Sequence, residues 1–401
     1  MDAHLIDFLS LLLRWLHIIA GIAWIGSSFY FIWLDNSLDA PEPDSDTAKK
    51  GVAGELWAVH GGGFYNPQKY AVAPASLPEK LHWFKWEAYT TWLSGTALLA
   101  IVYWLHAQSM MIDPSIAALS PWQAVAIGAG SMIGAWLVYD TLCRSPLGKY
   151  NGLLGVIVFA LLTALAWGLS QTLGGRAAFI QVGTSIGTIM VANVFFVIIP
   201  GQRRMVEAMR AGRAPNPLDG KRGKQRSVHN NYFTLPVLFT MISNHYASTY
   251  SHKYNWAILA LIAAAGELIR HFFNRRHKGV FAWPYPLAAT VILAVVAWWT
   301  APHLVALPKV DGPVTLDQVR AITGQRCVTC HSPAPTFPGI AQPPAGVLLN
   351  SPAALAQNAQ RIYQQVVVTR IMPLGNATGM TDYERAVIAA WVTSGASATS
   401  K

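Results

Sequence analysis

IDFLSLLLRWLHIIAGIAWIGSSFYFIWL, residues 6–34, decides the fold. Its only formal charges are Asp7 and Arg14. As a helix rising about 1.5 Å per residue, it outruns the roughly 30 Å of a bilayer's hydrocarbon. It is too long for the apolar core of a signal peptide and has no clear small-residue cleavage site, so a permanent first membrane helix is expected. Seven further runs of suitable length follow, at approximately 86–106, 121–142, 150–170, 177–200, 230–249, 255–273 and 283–303. Pro236 interrupts the sixth, and Pro284 and Pro286 the eighth. Membrane helices tolerate proline because neighbouring groups re-satisfy the freed backbone. The expected fold is all-α, with an eight-helix transmembrane bundle over residues 1–303.

Composition points the same way. The 401 residues are 53% hydrophobic and 12% charged, where soluble domains carry about 25% charge. Sixteen Trp suit aromatic belts at the membrane interfaces. The net charge of +10 would fit a nucleic-acid partner, but its distribution does not. Lys49, Lys50, Lys69, Lys80 and Lys85 lie between the first two runs, and Arg144 and Lys149 between the third and fourth. A basic cluster over 203–226 precedes the sixth, and Arg275, Arg276 and Lys278 precede the eighth. The alternate connections hold only Arg176 and Lys253. By the positive-inside rule the first set is cytoplasmic and both termini are outside. The expected partner is therefore the lipid bilayer and not nucleic acid, and the expected location is the inner (cytoplasmic) membrane, multi-pass, with the tail in the periplasm.

That tail changes character. Pro308, Gly312 and Pro313 mark a linker over 304–313, and residues 314–401 read as a small soluble domain. Thr315-x-x-Gln318 and Thr381-x-x-Glu384 are capping boxes, and Ser351-Pro352 is a third helix start. Between them lies Cys327-Val328-Thr329-Cys330-His331. C-x-x-C-H is the spacing at which two thiols take up a haem's vinyl groups while the next histidine ligates its iron. Met372, in Ile371-Met372-Pro373, is the expected second axial ligand, with Met380 as competitor. Covalent haem c, held by Cys327, Cys330, His331 and Met372, with iron bound by His331 and Met372, makes the domain a monohaem cytochrome c. The third cysteine, Cys143, has no partner for a disulfide once haem is attached and reads as a buried thiol.

Ionisable groups inside membrane helices are costly and mark function by default. In the first run Arg14, His17, Gly21, Trp24 and Ser28 share one face. His17 fits either a haem b ligand or a hydrogen-bonded structural histidine. His245, following Asn244 at the outer end of the sixth run, is a further candidate haem ligand. His229, Asn230 and Asn231 open that run on the inner side. Asn193 lies mid-fifth, and Glu267, Arg270 and His271 close the seventh. Together they suggest a polar cavity. His60-Gly61-Gly62-Gly63 would let backbone approach a ligand closely, and Lys85 and Glu87 bring a cation and a carboxylate to the inner interface. The pairs Gly130/Gly134 and Gly183/Gly187 read as helix-packing notches.

Taken together, these stretches resemble the bacterial membrane-bound urate oxidase (urate hydroxylase) family, in which an eight-helix domain is fused to a C-terminal cytochrome c. The similarity is carried by WLHIIAGIAWIGSSFYF (15–31), LWAVHGGGFY (56–65), LHWFKWEAYTTWLSG (81–95), GTIMVANVFFVIIPGQRRMV (187–206), HNNYFTLPVLFTMISNHY (229–246) and IMPLGNATGMTDYER (371–385). The resemblance implies oxidation of urate to 5-hydroxyisourate, with electrons leaving through haem c to a soluble cytochrome c or a terminal oxidase. His17, Gly21, Trp24 and Gly26 also look like the first helix of membrane protoporphyrinogen oxidases. By residue type and position, the candidates for holding the planar anion and moving its proton are His60, Lys85, Glu87, His229, Asn230 and Asn231, all near the inner face. A donor bound there needs a relay outward, such as haem at His17 or His245; a donor bound on the outer side needs none. The rival readings are a dehydrogenase of another small donor or a porphyrinogen, and a non-enzymatic cytochrome c anchor.

Overall fold

The computed structural model describes residues 3–301, 306–337, 340 and 342–396, with only the backbone given for Ala3, His4, Asp7 and Gly375. Residues 302 and 303 of the eighth expected run, and 304 and 305 of the expected linker, lie outside the described residues. The chain is mostly helical. In order come α1 (Ala3–Ser37), α2 (Asp46–Lys49), α3 (Trp86–Leu99), α4 (Ala107–Met110), α5 (Pro121–Arg144), α6 (Asn151–Ser170), α7 (Gly175–Ala192), α8 (Ile199–Arg210), α9 (Pro217–Ile242), α10 (Ala247–Tyr250), α11 (Asn255–Arg276) and α12 (Pro284–Trp299). The tail adds α13 (Leu316–Arg326), α14 (Pro352–Gln357), α15 (Ala359–Ile362) and α16 (Asp382–Thr393).

Among the described residues, five helical stretches are long and apolar enough to cross a membrane: Phe8–Ser37, Pro121–Arg144, Asn151–Ser170, Gly175–Arg210 and Asn255–Arg276. The other three expected runs differ for visible reasons. The second is α3 followed by a π-helical turn, Ala100–Trp104. The eighth, α12, spans 16 residues. The sixth begins well before its apolar stretch, because Asn216 caps Leu218 and Pro217 pre-sets the first turn, so α9 opens within the basic cluster. It also stops early, at Ile242, giving way to the short turn Ser243–His245.

The all-α expectation fails in the first connection. Strands β1 (Val52–Glu55) and β4 (Gln68–Tyr70) pair antiparallel, and β2 (Ala58–His60) pairs with β3 (Gly63–Tyr65) between them. Gly61 and Gly62, at φ +56° and +80°, form the two-residue turn of the inner hairpin. That conformation needs positive φ at both positions, so the glycines after His60 serve the turn.

Helix α7 is the axis of the bundle. Ala178, Phe179, Gln181, Ser185 and Ile189 along it are all buried, and it packs against α3, α5, α6 and α9. Within lipid such packing rests on close van der Waals fit at small residues rather than on escape from water. Gly183 is one such notch, since a Cβ there would lie 2.0 Å from Thr240 Oγ1 on α9. Gly130, Gly134 and Gly187 face open space, so the notch reading is corrected at those three. The outer surface of α1, by contrast, exposes Leu11, Trp15, Ile18, Ile19 and Ile22.

The tail has its own apolar core around Val319, Leu355, Ile388 and Trp391. All three expected helix starts are present. Thr315 with Gln318 and Thr381 with Glu384 form reciprocal capping boxes, and Ser351 caps Ala354.

Candidate functional site

The C-x-x-C-H motif follows directly on the last turn of α13. The amides of Cys330 and His331 both donate to the Cys327 carbonyl, at 3.1 and 2.9 Å, which curls the motif into a tight turn. His331 Nδ1 lies 3.0 Å from the Val347 carbonyl. A carbonyl can only accept, so Nδ1 carries the hydrogen and Nε2 of the neutral ring is left free to ligate. Burial pushes the Cys327 thiol up to about 12, and that of Cys330 up as well, so both stay uncharged against an apolar wall.

Met372 is positioned through its backbone. Its amide donates to Gln365 O at 3.0 Å, and Arg385 Nη1 donates to Met372 O at 2.9 Å and also to Val366 O. Its rival Met380 is 4% exposed within the tail's core. Cys327, Cys330, His331 and Met372 all line one cavity of about 1170 Å³, and Met380 does not. Two thiols, an imidazole with its Nδ1 engaged and a thioether around a space of this size fit a covalently attached haem with a His/Met pair. Among the described residues no group of three or more His, Cys, Asp or Glu could hold a metal ion; a haem site requires none.

The opposite wall of this cavity belongs to the bundle. His106, Arg176, Asn244, His245 and Tyr250 line it, and Ile371 of the tail packs on the bundle's core. Arg176 opens α7, His106 precedes α4, and Asn244, His245 and Tyr250 follow α9, all in or beside the connections that are almost free of Lys and Arg. His245 therefore sits, exposed, on the cavity wall in the turn after α9.

A polar network lies at the other end of the bundle. Arg226, 3% exposed, donates to Asp140 Oδ1 at 2.7 Å and to Asn193 Oδ1 at 3.3 Å. Asn193 Nδ2 donates to Asn230 Oδ1 at 2.8 Å and to the Tyr139 hydroxyl at 3.1 Å. Tyr139 is 2.7 Å from His229 Nδ1, and Asn230 Nδ2 donates to Met190 O at 2.9 Å. A cavity of about 340 Å³ opens beside it, lined by Cys143, Arg204, Asp219, Arg222 and Arg226 among others. Asn231 turns away, accepting from Arg270 Nε at 2.8 Å and Asn274 Nδ2 at 3.1 Å, while the Arg270 guanidinium lies 3.9 Å from the Phe29 ring centre. Sequence reading missed Tyr139 and Asp140 as members. An aspartate near the end of an apolar run was the signal that marked them.

The remaining candidates lie elsewhere. His17 Nδ1 donates to Thr91 O at 2.9 Å, and its ring packs against α3, where a Cβ at Gly95 would stand 2.8 Å from Cε1. Neither cavity above is lined by His17. His60 is exposed beside the hairpin turn, Lys85 Nζ sits 5.5 Å from the Trp86 ring centre, and Glu87 occupies the first turn of α3. No hydrogen bond or ion pair among the described residues joins these three to His229, Asn230 or Asn231.

Comparison with known proteins gives one family match, to the family described as urate oxidase N-terminal, over residues 3–301. No curated protein and no solved structure matches the chain.

Proposed function

This chain belongs to the urate oxidase N-terminal family, and from that premise we propose that it is a membrane-bound oxidoreductase. It converts urate to 5-hydroxyisourate and passes the electrons through a covalent haem c in its tail to a soluble cytochrome c or a terminal oxidase. The observation that carries this reading is the shared cavity, in which the haem-attachment side chains of the tail face polar side chains of the family-matched bundle. The eight helical runs are then eight spans of a bacterial inner membrane. The wall facing the tail lies in or beside the connections poor in basic residues, so the positive-inside rule puts it in the periplasm, where the tail belongs.

The chemistry is a dehydrogenation followed by hydration. Urate monoanion loses two electrons and one proton to give neutral dehydrourate, and water adds across it at C5. Haem in the tail supplies one-electron acceptance. The chain's own residues must hold a planar anion, take up its proton and keep Met372 and His331 in place. Arg385 and Gln365 hold Met372 through its backbone, the Val347 carbonyl holds His331, and His245 brings an imidazole to the cavity wall. A donor at the inner network of His229 and Asn230 would instead need a relay across the bundle, for which His17, with Nε2 bare in the neutral ring, is the available ligand.

A pyridine haemochrome spectrum of the purified chain, with anaerobic urate titration, tests this. One haem c reduced by urate is the expected result. A tail haem that dithionite reduces and urate does not would refute it. Haem b in equal amount would move the donor site to the inner network.

A further inference from the structure

We propose that the bundle's outer wall at Arg176, Asn244 and His245 is the donor-binding surface, taking a planar, nitrogen-rich anion between itself and the tail's haem-attachment wall. This rests on the urate reading above and adds to it the membrane face and the residues.

The first argument is charge. Among the described residues the cavity is lined by Arg176, Arg326 and Arg361 and by no Asp or Glu. Arg326 is engaged with Glu384 at 3.0 Å, and Arg361 is exposed. Arg176 has no carboxylate within ion-pair distance among the described residues, and a guanidinium does not give up its proton. A guanidinium with no carboxylate partner among the described residues suits an anionic ligand entering the cavity.

The second argument is unmet hydrogen bonding. Arg176 Nε and Asn244 Oδ1 are both shut off from solvent and have no partner. Leaving such a group unpaired is unfavourable. Both residues line the same cavity wall and bring a guanidinium and an amide to it. A purine-dione edge alternates carbonyl and N–H groups and suits both, whereas a simple carboxylate has no N–H for the amide oxygen. The third is rigidity. The Arg176 guanidinium lies 5.9 Å from the ring centre of buried Tyr103, which holds the cation in place, and buried Tyr250 adds a flat apolar surface to the same wall.

A haem's own carboxylates could balance Arg176 instead, and the experiment separates the two. The full chain with its haem, reduced by dithionite so that no turnover occurs, is titrated with urate by calorimetry, as wild type, Arg176→Gln and Asn244→Ala. The haemochrome spectrum and midpoint potential are recorded for each. The expected result is about tenfold or greater weakening of urate binding in both variants, with haem content and potential unchanged. Unchanged binding in Asn244→Ala, or a shifted potential with unchanged binding in Arg176→Gln, overturns the proposal. Should Arg176→Gln fail to take up haem, Asn244→Ala decides alone, since its Oδ1 has no partner to lose. A wild type that urate reduces, with variants that bind normally, defeats only this site. A wild type that neither binds urate nor is reduced by it defeats the urate reading itself.

Discussion

Replacing Asp140 with alanine isolates the energetics of the buried cation in the bundle. Asp140 accepts from two arginines at nearly equal distance, 2.7 Å from Arg226 Nη2 and 2.6 Å from Arg144 Nε. Their surroundings differ sharply, for the Arg226 side chain is 4% exposed and that of Arg144 is 67% exposed. Without Asp140, Arg226 keeps the Asn193 oxygen at 3.3 Å and the Tyr139 and Trp136 rings at 4.9 and 6.0 Å. A buried charge stripped of its counter-ion costs about 3–5 kcal/mol, and a guanidinium cannot escape by deprotonating. Arg144→Ala removes an equally short but solvated pair, and should cost at most about 1 kcal/mol. Asp140→Ala combined with Arg226→Met removes both charges and should recover most of the loss. The assay is reversible unfolding in mixed micelles, followed by tryptophan fluorescence and circular dichroism. If Asp140→Ala costs no more than Arg144→Ala, or the double variant shows no recovery, Arg226 is solvated and the dry-network argument fails.

Three further outcomes are expected. Met372→Ala abolishes the far-red sulfur-to-iron band of the oxidised tail, whereas Met380→Ala keeps it and destabilises the tail by about 2–5 kcal/mol as a core truncation; the reverse pattern would exchange their roles. Gly183→Ala forces a methyl into Thr240, whose hydroxyl is already bonded to Val237 O, and should cost about 1–3 kcal/mol, while Gly187→Ala faces open space and should be neutral or stabilising by up to about 1 kcal/mol. Burial raises the Glu384 carboxyl, but the Thr381 amide and hydroxyl and Arg326 outweigh it and leave it below the usual glutamate range. The folded tail therefore favours the ionised form. Its stabilising contribution is complete above the ordinary value of about 4.3 and is lost as pH falls through the lowered one. Glu384→Gln should flatten that acid limb of a melting-temperature profile, and an unchanged limb would assign it to another group.

What could be read from sequence depended on how far a signal reaches along the chain. Thr381-x-x-Glu384 contains its whole capping geometry in four residues, so it was legible. The small strands were not, because three or four residues broken by glycine and proline show no alternation. Gly61 and Gly62 were visible, but a turn and a ligand approach make the same demand for positive φ, and only pairing of His60 with Gly63 distinguishes them. The start of α9 was hidden because an apolar count ignores Asn216 and Pro217. Least legible was the cavity wall. Arg176 opens α7 while Asn244 and His245 lie in the turn after α9, and nothing local in either stretch announces that the tail will close over them.

The π-helical turn Asn193–Ile198 makes one continuous rod of α7 and α8 and carries a surplus residue within it. A π turn holds one residue more than the α turn it replaces. Deleting a residue between 194 and 197 would restore ordinary pitch and leave everything downstream in nearly the same phase, whereas a deletion within regular α7 would swing it by about 100° around the axis. Asn193 would keep its place beside Tyr139 and Asn230, and Arg204 its place beside Asp219. The turn thus holds a spare residue that the rod can lose without turning its basic end, and length changes there alter reach where elsewhere they would alter angle.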